Sequence, residues 1–362
     1  MNEQLARKLQ QVGNQFNLPG PFFSYEEINT GNVNHTYRTD YIRDDGTGMA
    51  RIKSYLVQQV NTYAFRDPVA LMENIDKVTE YIHAQNPGQT CLHYHHTTDR
   101  NTFIFDGDEF WRVCNYIPSV TFDTCDDLDI VRSAAEAFGD FQVSLANFDA
   151  SQLHYTIPDF HNTRKRYAAL REAAEKDPAG RKKDVPGELA WLLSVEDTAC
   201  RLTDLAAVGK LPLRVTHNDT KLNNVLLDQE TGAALCVVDL DTVMPGLAAY
   251  DFGEAVRTGA CTAPEDERDL SKIQLSLPMY RAYAEGFLSQ LGDTMTRDEV
   301  LSLPRGARMM TLENAMRFLA DYLNGDVYFA VHRKDHNLDR ARAQMTLLRR
   351  MEEHWDEMQS IL

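Results

Sequence analysis

The stretch Thr216-His217-Asn218-Asp219-Thr220-Lys221-Leu222-Asn223-Asn224-Val225-Leu226-Leu227 constrains this chain more than any other segment. It carries the spacing H-x-D-x-x-x-x-N, in which the Asp takes the proton of an attacking hydroxyl and the Asn, five residues on, holds a Mg²⁺ ion during phosphoryl transfer. On this reading Asp219 is the base and Asn224 a metal ligand. Lys221, two positions after the Asp, reaches the transferring phosphate and neutralises charge that develops there. His217 braces the loop through hydrogen bonds and moves no proton itself.

The flanking residues predict how the loop is held. Leu213 to Thr216 and Val225 to Leu227 are short β-rich runs, and Asp228-Gln229-Glu230-Thr231-Gly232 has the composition of a turn. The chain returns as Ala234-Leu235-Cys236-Val237-Val238, a buried-looking strand that ends at Asp239. Such a hairpin brings Asp239 beside Asn224, and a Mg²⁺ bridging nucleotide phosphates takes hard oxygen ligands of this kind. Asp239 is therefore the expected metal carboxylate. Asp251-Phe252-Gly253 spells the protein-kinase metal motif, yet it lies 27 residues beyond Asn224 with no strand before it, whereas Asp239 lies 15 beyond. Asp251 is expected to cap a helix and brace the loop. Asp241 leaves two readings: it joins Asp239 at the metal, since alternate residues of extended chain point the same way, or it is a turn residue ahead of Met244-Pro245-Gly246.

A length of 362 residues suits two lobes, and a hydrophobic content of 43% supplies a core. No apolar run of about 18 residues occurs, so no membrane span is expected. Leu5, Leu9, Val12 and Phe16 recur at helical spacing as an amphipathic helix, without the apolar block of a signal peptide, and a cytoplasmic location follows. The six cysteines (Cys91, Cys114, Cys125, Cys200, Cys236, Cys261) are scattered with no C-x-x-C pair and read as reduced and structural. A formal charge of −17 repels nucleic acid and anionic membrane, which are bound through cationic patches. No protein partner is indicated.

From about Tyr25 to Cys114 the chain reads as strands with one helix at Val69 to Ala84. Gly31 to Thr36 falls between two strand-like runs, so Gly31, Asn32, Asn34, His35 and Thr36 form a hairpin tip that covers phosphates with backbone N–H groups and short polar side chains. Taken alone it is an ordinary turn; the downstream loop supplies the functional reading. Ser54 to Asn61 occupies the strand that carries a phosphate-binding lysine in protein kinases, and here Gln58 or Gln59 stands in its place, with Lys221 or the Gly31 loop left to compensate. Glu109 to Val113 is the last strand, and Asn115-Tyr116-Ile117-Pro118 the crossing whose backbone, at Asn115 and Ile117, binds adenine. The expected lobes are 1–114 and 120–362, joined by 115–119. Beyond the crossing, Ile130, Ala134, Phe138, Phe141 and Leu145 open a mostly helical region.

Near the C-terminus Met309, Leu312, Met316, Leu319 and Leu323 form an apolar helical stripe, with Glu313, Arg317 and Asp321 on a neighbouring one. Such charges are either exposed ion pairs or fixed donors and acceptors for sugar hydroxyls, with Tyr322 and Tyr328 available for ring contacts. Arg317 alternatively holds the transferring phosphate. His93, His95 and His96 lack Cys or carboxylate partners at ligand spacing and read as a surface cluster. His161 touches substrate or caps a helix. No dinucleotide or P-loop fingerprint occurs.

The loop and hairpin resemble those of the aminoglycoside phosphotransferase and choline kinase superfamily, small-molecule kinases of protein-kinase-like fold, and Tyr250-Asp251-Phe252-Gly253 resembles the segment that follows their metal Asp. Within it the chain resembles the N-acetylhexosamine 1-kinases. That similarity rests on Gly31 to Tyr37, Val57-Gln58-Gln59-Val60-Asn61, Thr216 to Asn224, Val238 to Gly246 and Met316 to Leu323. The resemblance implies a two-lobed α+β kinase with a small β-rich N-lobe, ATP as co-substrate, Mg²⁺ as cofactor, and direct in-line transfer. It implies as acceptor the anomeric hydroxyl of N-acetylglucosamine or N-acetylgalactosamine, surrounded by Asp219, Asp239, Arg317, Asp321, Tyr322 and Tyr328. The Gln-Gln pair is shared by the hexosamine kinases and reads as a family trait. The alternatives are a kinase of the same fold for another small alcohol, and a silent nucleotide- or sugar-binding protein.

Overall fold

The computed structural model describes residues 2–29, 33–44, 50–291 and 294–362. Helix α1 (Glu3–Gln15) starts at Asn2, whose side chain accepts from the N–H groups of Gln4 and Leu5. Strands β1 (Phe22–Ile28), β2 (His35–Asp44) and β3 (Ala50–Val60) follow, then α2 (Pro68–Gln85), β4 (Phe103–Asp106) and β5 (Glu109–Asn115). The strands form one antiparallel sheet in the order β1-β2-β3-β5-β4. Thus β5, the last of the sheet in sequence, is interior to it in space.

Side chains two residues apart share a sheet face, and this period sorts the sheet into two cores. Tyr37, Tyr41, Tyr55, Val57, Trp111 and Val113 pack with Leu9, Val12 and Phe16 of the α1 segment. Val60, Phe110 and Cys114 face the other way, onto Leu71, Met72, Ile75 and Val78 of α2. Strand β5 is buried on both faces and reads as a nearly continuous apolar run. Arg112 interrupts it at 1% exposure. The same second core includes Phe141, Val215, Leu240 and Val243 from the remainder of the chain, so it fixes the sheet against the segments that carry the catalytic loop.

That remainder comprises α3 (Leu128–Ser144), α4 (Thr163–Lys176), α5 (Pro186–Ser194), α6 (Glu196–Ala199) and α7 (Arg201–Ala207), then four short strands, then α8 (Ala248–Gly259), α9 (Leu277–Leu291), α10 (Arg297–Asn324), α11 (His336–Glu353) and α12 (Trp355–Ser360). Helix α10 opens on a capping box between Thr296 and Glu299 and stops at Gly325, whose φ of +95° suits glycine. Its stripe Met309, Leu312, Met316, Leu319 and Leu323 is buried throughout. The strands make two nested hairpins: β6 (Arg214–Thr216) pairs with β9 (Met244–Gly246), and inside it β7 (Val225–Leu227) pairs with β8 (Ala234–Val237). Both linking segments, 217–224 and 238–243, therefore lie between the two ladders. All six cysteines are free. Among the described residues no helix is long and apolar enough to cross a membrane.

Asp251-Phe252-Gly253 has a packing explanation that needs no metal. Phe252 is fully buried, with ring contacts to Tyr280, Tyr283 and Phe287 at 5.9, 5.5 and 5.6 Å. A Cβ on Gly253 would lie 2.3 Å from the carbonyl carbon of Gly306, and one on Gly306 only 1.8 Å from the carbonyl oxygen of Ala249. Both glycines exist so that α8 and α10 can touch backbone to backbone. Gly306→Ala is expected to destabilise the protein by at least about 1–3 kcal/mol, the cost of overpacking. Gly88→Ala, at a position with nothing within 4 Å of the added carbon, is expected to leave stability nearly unchanged. Thermal unfolding of the two variants checks both.

Candidate active site

The catalytic loop is held from beneath. Asp251, in the first turn of α8, accepts the backbone N–H of His217 at 2.9 Å and that of Asn218 at 2.7 Å. It also accepts Nε2–H of Gln142 from α3 at 2.8 Å. Burial pushes its pKa up, while the three hydrogen bonds it accepts pull against that rise. Thr220 Oγ donates to the carbonyl of Asp251, and Thr242 Oγ to the carbonyl of His217 at 2.6 Å. Asn218 takes a φ of +64°, a left-handed conformation that asparagine tolerates, and its amide donates to the carbonyl of Thr242 at 2.8 Å. His217 Nε2 meets the carbonyl of Val238 at 2.8 Å, and its Nδ1 accepts the N–H of Asp219 at 3.3 Å. These partners assign a neutral imidazole protonated at Nε2. His217 thus braces the loop, as its position in the motif suggested.

The chemical groups stand on this frame. Lys221 Nζ lies 2.8 Å from one oxygen of Asp219, and Asn224 Nδ2 donates to the other at 3.1 Å and to the Asp219 carbonyl at 2.7 Å. Burial opposes the charge on Lys221, but Asp219 and Glu254 outweigh it and hold the ammonium above its usual pKa. The N–H of Val238 donates to the carbonyl of Asn224 at 2.9 Å, which sets Asp239 next to the amide. Asp239 has a φ of +59° and opens to the cleft, with no hydrogen bond or ion pair among the described residues. Desolvation by the cleft walls, then the charges of Asp241 and Asp219, push its pKa up to about 7. A partnerless carboxylate facing like charges, beside the free Oδ1 of Asn224, is a donor set that fits a hard cation. Among the described residues no group of three or more His, Cys, Asp or Glu forms a ready cage. The remaining ligands would have to come from another molecule, as phosphate oxygens do.

The residues around this centre divide into those with open faces and those already engaged. The chain after Asp239 is not extended; Leu240 to Thr242 forms a tight turn, and Asp241 points away from the cleft. It is ion-paired with Arg112 and accepts Asn34 Nδ2 at 2.6 Å. Asp241 is thus a turn residue with a partner from the sheet, and the extended-chain argument for a metal role fails. Asn34 Oδ1 accepts the N–H of Asn61 at 3.0 Å, Thr36 Oγ accepts Gln58 Nε2 at 3.0 Å, and His35 is exposed opposite Gln59. Gly31 and Asn32 lie outside the described residues. Asn115 spends its side chain on the His93 N–H at 2.7 Å and the Cys91 carbonyl at 3.4 Å, and the Ile117 carbonyl accepts Ser119 Oγ at 2.9 Å. Tyr116 to Ser119 carry no regular structure before Val120 bridges to Leu227.

On α10 the three charges are not exposed partners of one another. Asp321 is buried and accepts four donors: the N–H groups of Val327, Tyr328 and Phe329, and Asn337 Nδ2. It organises the turn that carries Tyr328. Arg317 is half-buried, its guanidinium 5.9 Å from the Tyr328 ring and 5.2 Å from the Phe329 ring. Tyr328 is exposed, whereas Tyr322 is buried with Arg181 over its ring at 4.7 Å. Glu313 is buried against His161 at 3.2 Å and Arg166 at 3.4 Å. His93, His95 and His96 are half-buried, and the first two pack ring to edge at 5.2 Å, a partly exposed cluster. Sequence reasoning missed Arg112 altogether, though a lone cation inside an apolar strand was a visible signal.

With this geometry established, comparison with known proteins is informative. The profile of the family described as the phosphotransferase enzyme family matches residues 25–285. The chain belongs to that family. The phosphotransferase also matches solved structures along nearly its whole length. A microcompartment-associated aminopropanol kinase is 14% identical, with 98% of each chain covered and a TM-score of 0.62. A choline kinase from Cryptosporidium parvum is 13% identical over 100% of this chain and 98% of its own, with a TM-score of 0.59. A spectinomycin phosphotransferase bound to ADP and spectinomycin is 14% identical over 95% and 98%, with a TM-score of 0.53. At these identities the likeness concerns the fold: a kinase-like architecture with a five-stranded antiparallel N-lobe and a mostly helical C-lobe.

The raised pKa of Asp239 gives a signed expectation. Between the usual carboxylate range and about pH 7 the folded protein binds a proton that the unfolded chain has released, so this group's contribution to stability falls as pH rises through that window. A metal bound to Asp239 would have to displace that proton. Apparent affinity for a divalent cation in the turnover assay is expected to rise about tenfold per pH unit below 7 and to level off above it. A flat profile from pH 5.5 to 8.5 contradicts this.

Proposed function

We propose that the protein is an ATP-dependent kinase that phosphorylates the anomeric hydroxyl of N-acetylglucosamine or N-acetylgalactosamine to give the sugar 1-phosphate. The observation that carries the chemistry is the Asp219 carboxylate, held between Lys221 and Asn224 beside the partnerless Asp239. In this reading ATP lies between the lobes 1–114 and 120–362, with its adenine on the backbone of 115–119 and its phosphates under the Gly31 to Thr36 hairpin. Asn224 and Asp239 would hold Mg²⁺, which would supply neutralisation of phosphate charge. Asp219 accepts the proton of the acceptor hydroxyl and directs its oxygen in line with the γ-phosphorus, while Lys221 steadies the carboxylate and faces the charge that moves across.

The sugar assignment is supported by the resemblance to the N-acetylhexosamine 1-kinases and by the Arg317 and Tyr328 pair, a donor and an exposed ring held by the Asp321-anchored turn. A choline-like acceptor is less well served. It needs free aromatic faces for a quaternary ammonium, and here Arg317 covers Phe329 while Arg340 lies 5.5 Å from the Phe318 ring.

ADP release from Mg·ATP is expected with both free acetamido sugars and absent with their 1-O-methyl glycosides. Asp219→Asn is expected to lower kcat by about a thousandfold or more with little change in the KM for Mg·ATP. Turnover of glucose, choline or homoserine alone would keep the mechanism and discard the sugar, and nucleotide binding without any turnover would leave a silent binder. Arg317→Ala is expected to raise the KM for the sugar about tenfold while that for Mg·ATP stays within about twofold. An equal rise in both would place Arg317 on the phosphate instead.

A further inference from the structure

We propose that Arg112 is a positioning residue that fastens the metal-bearing turn to the phosphate-covering hairpin, in place of the strand lysine this chain lacks. Strand β3 presents Gln58 on the face shared with α2, and Arg112 stands directly opposite it in the β3–β5 register. The Arg112 side chain is 2% exposed. Its Nη1 pairs with Asp241, and its Nε donates to Gln58 Oε1 at 2.9 Å. Gln58 in turn donates to Thr36 Oγ at 3.0 Å, and Asp241 accepts Asn34 at 2.6 Å through its other oxygen. One guanidinium therefore joins β3, β5, the start of β2 and the 239–241 turn.

Two physical arguments give this network a purpose beyond stability. A buried ion pair is weak evidence for stabilisation, because apolar replacement of both partners is often as stable. Its value here is geometric: a rigid fork reaches two acceptors at once, which an ammonium cannot reproduce. The turn it fixes contains Asp239 at a φ of +59°, a conformation that a non-glycine residue keeps only when its surroundings determine it. With Asp241 anchored two residues away, Asp239 is held toward the cleft. The inference rests on the reading that Asp239 holds metal and that the hairpin faces phosphate.

The test compares Arg112→Met, Arg112→Lys and the double variant Arg112→Met/Asp241→Asn, reading the melting temperature and the KM values for Mg·ATP and acceptor. KM is insensitive to a loss of folded fraction, so it remains readable in a weakened variant. Arg112→Met is expected to melt lower and to raise the KM for Mg·ATP about tenfold or more, with the acceptor KM within about twofold. Arg112→Lys is expected to fall between that variant and the parent. In the double variant no charge is left unpaired, so the melting temperature should recover while the KM for Mg·ATP stays raised. Recovery of both would show a merely structural pair, and an unchanged KM in Arg112→Met would also overturn the proposal. Asp239→Asn serves as the reference: it is expected to lose turnover, and full activity there would remove the metal reading on which the inference stands.

Discussion

Two backbone N–H groups, those of His217 and Asn218, end on the carboxylate of Asp251, and the rest of the site depends on that contact. A fully buried carboxylate is costly unless its oxygens are met by donors, and Asp251 meets three. The arrangement runs in both directions: the loop satisfies the acid, and the acid fixes a loop whose Asn218 sits in a left-handed conformation. Because Asp251 belongs to α8, the position of the catalytic loop is set by how α8 packs. That packing is set by Gly253 and Gly306, where the two helices approach with no room for a methyl group. A helix contact thereby determines where Asp219 stands.

The second organising fact is an excess of negative charge at the cleft. Asp219, Asp239 and Asp241 crowd together, and the protein answers two of them with cations of its own, Lys221 and Arg112. Asp239 is left without an answer, and desolvation together with its acidic neighbours raises its pKa. A carboxylate in this state suits the metal role proposed for it, with phosphate oxygens as the remaining ligands. Under the proposed function it would also let a chain with a formal charge of −17 take an anionic co-substrate, the binding charge being local and completed by a metal.

Much of this was legible in the order of residues, for physical reasons. The strand-turn-strand pattern around Val225 to Val238 is short-range, so the hairpin that brings Asp239 to Asn224 followed from turn chemistry and β-rich runs. The helical stripe of Met309 to Leu323 followed from its period. That Asp251 braces the loop followed from its distance in sequence, whereas the helix cap expected of it failed: α8 begins at Ala248 with Leu247 at its N-cap, and Asp251 lies inside the first turn. What the sequence hid was long-range pairing. The contact between Arg112 and Asp241 spans 129 positions and requires the β3–β5 register, which no local pattern encodes. Of the two readings of Asp241, the turn residue held and the extended-chain argument for a metal ligand failed, because a tight turn replaces extended chain at Leu240. Asp321 was open to two readings, an exposed ion-pair partner or a sugar ligand, and neither anticipated its burial: its four donors come from a turn and a helix that follow α10, and only the tertiary fold shows that they converge.

An anomeric kinase differs from its alternatives in which oxygen receives the phosphoryl group. The most direct measurement is phosphorus NMR of the product formed from N-acetylglucosamine and Mg·ATP, with proton coupling retained. One new phosphorus signal coupled to the single anomeric proton, formed together with ADP, is expected. A signal coupled to the two protons of the exocyclic carbon, or release of inorganic phosphate with no sugar phosphate, would contradict that expectation.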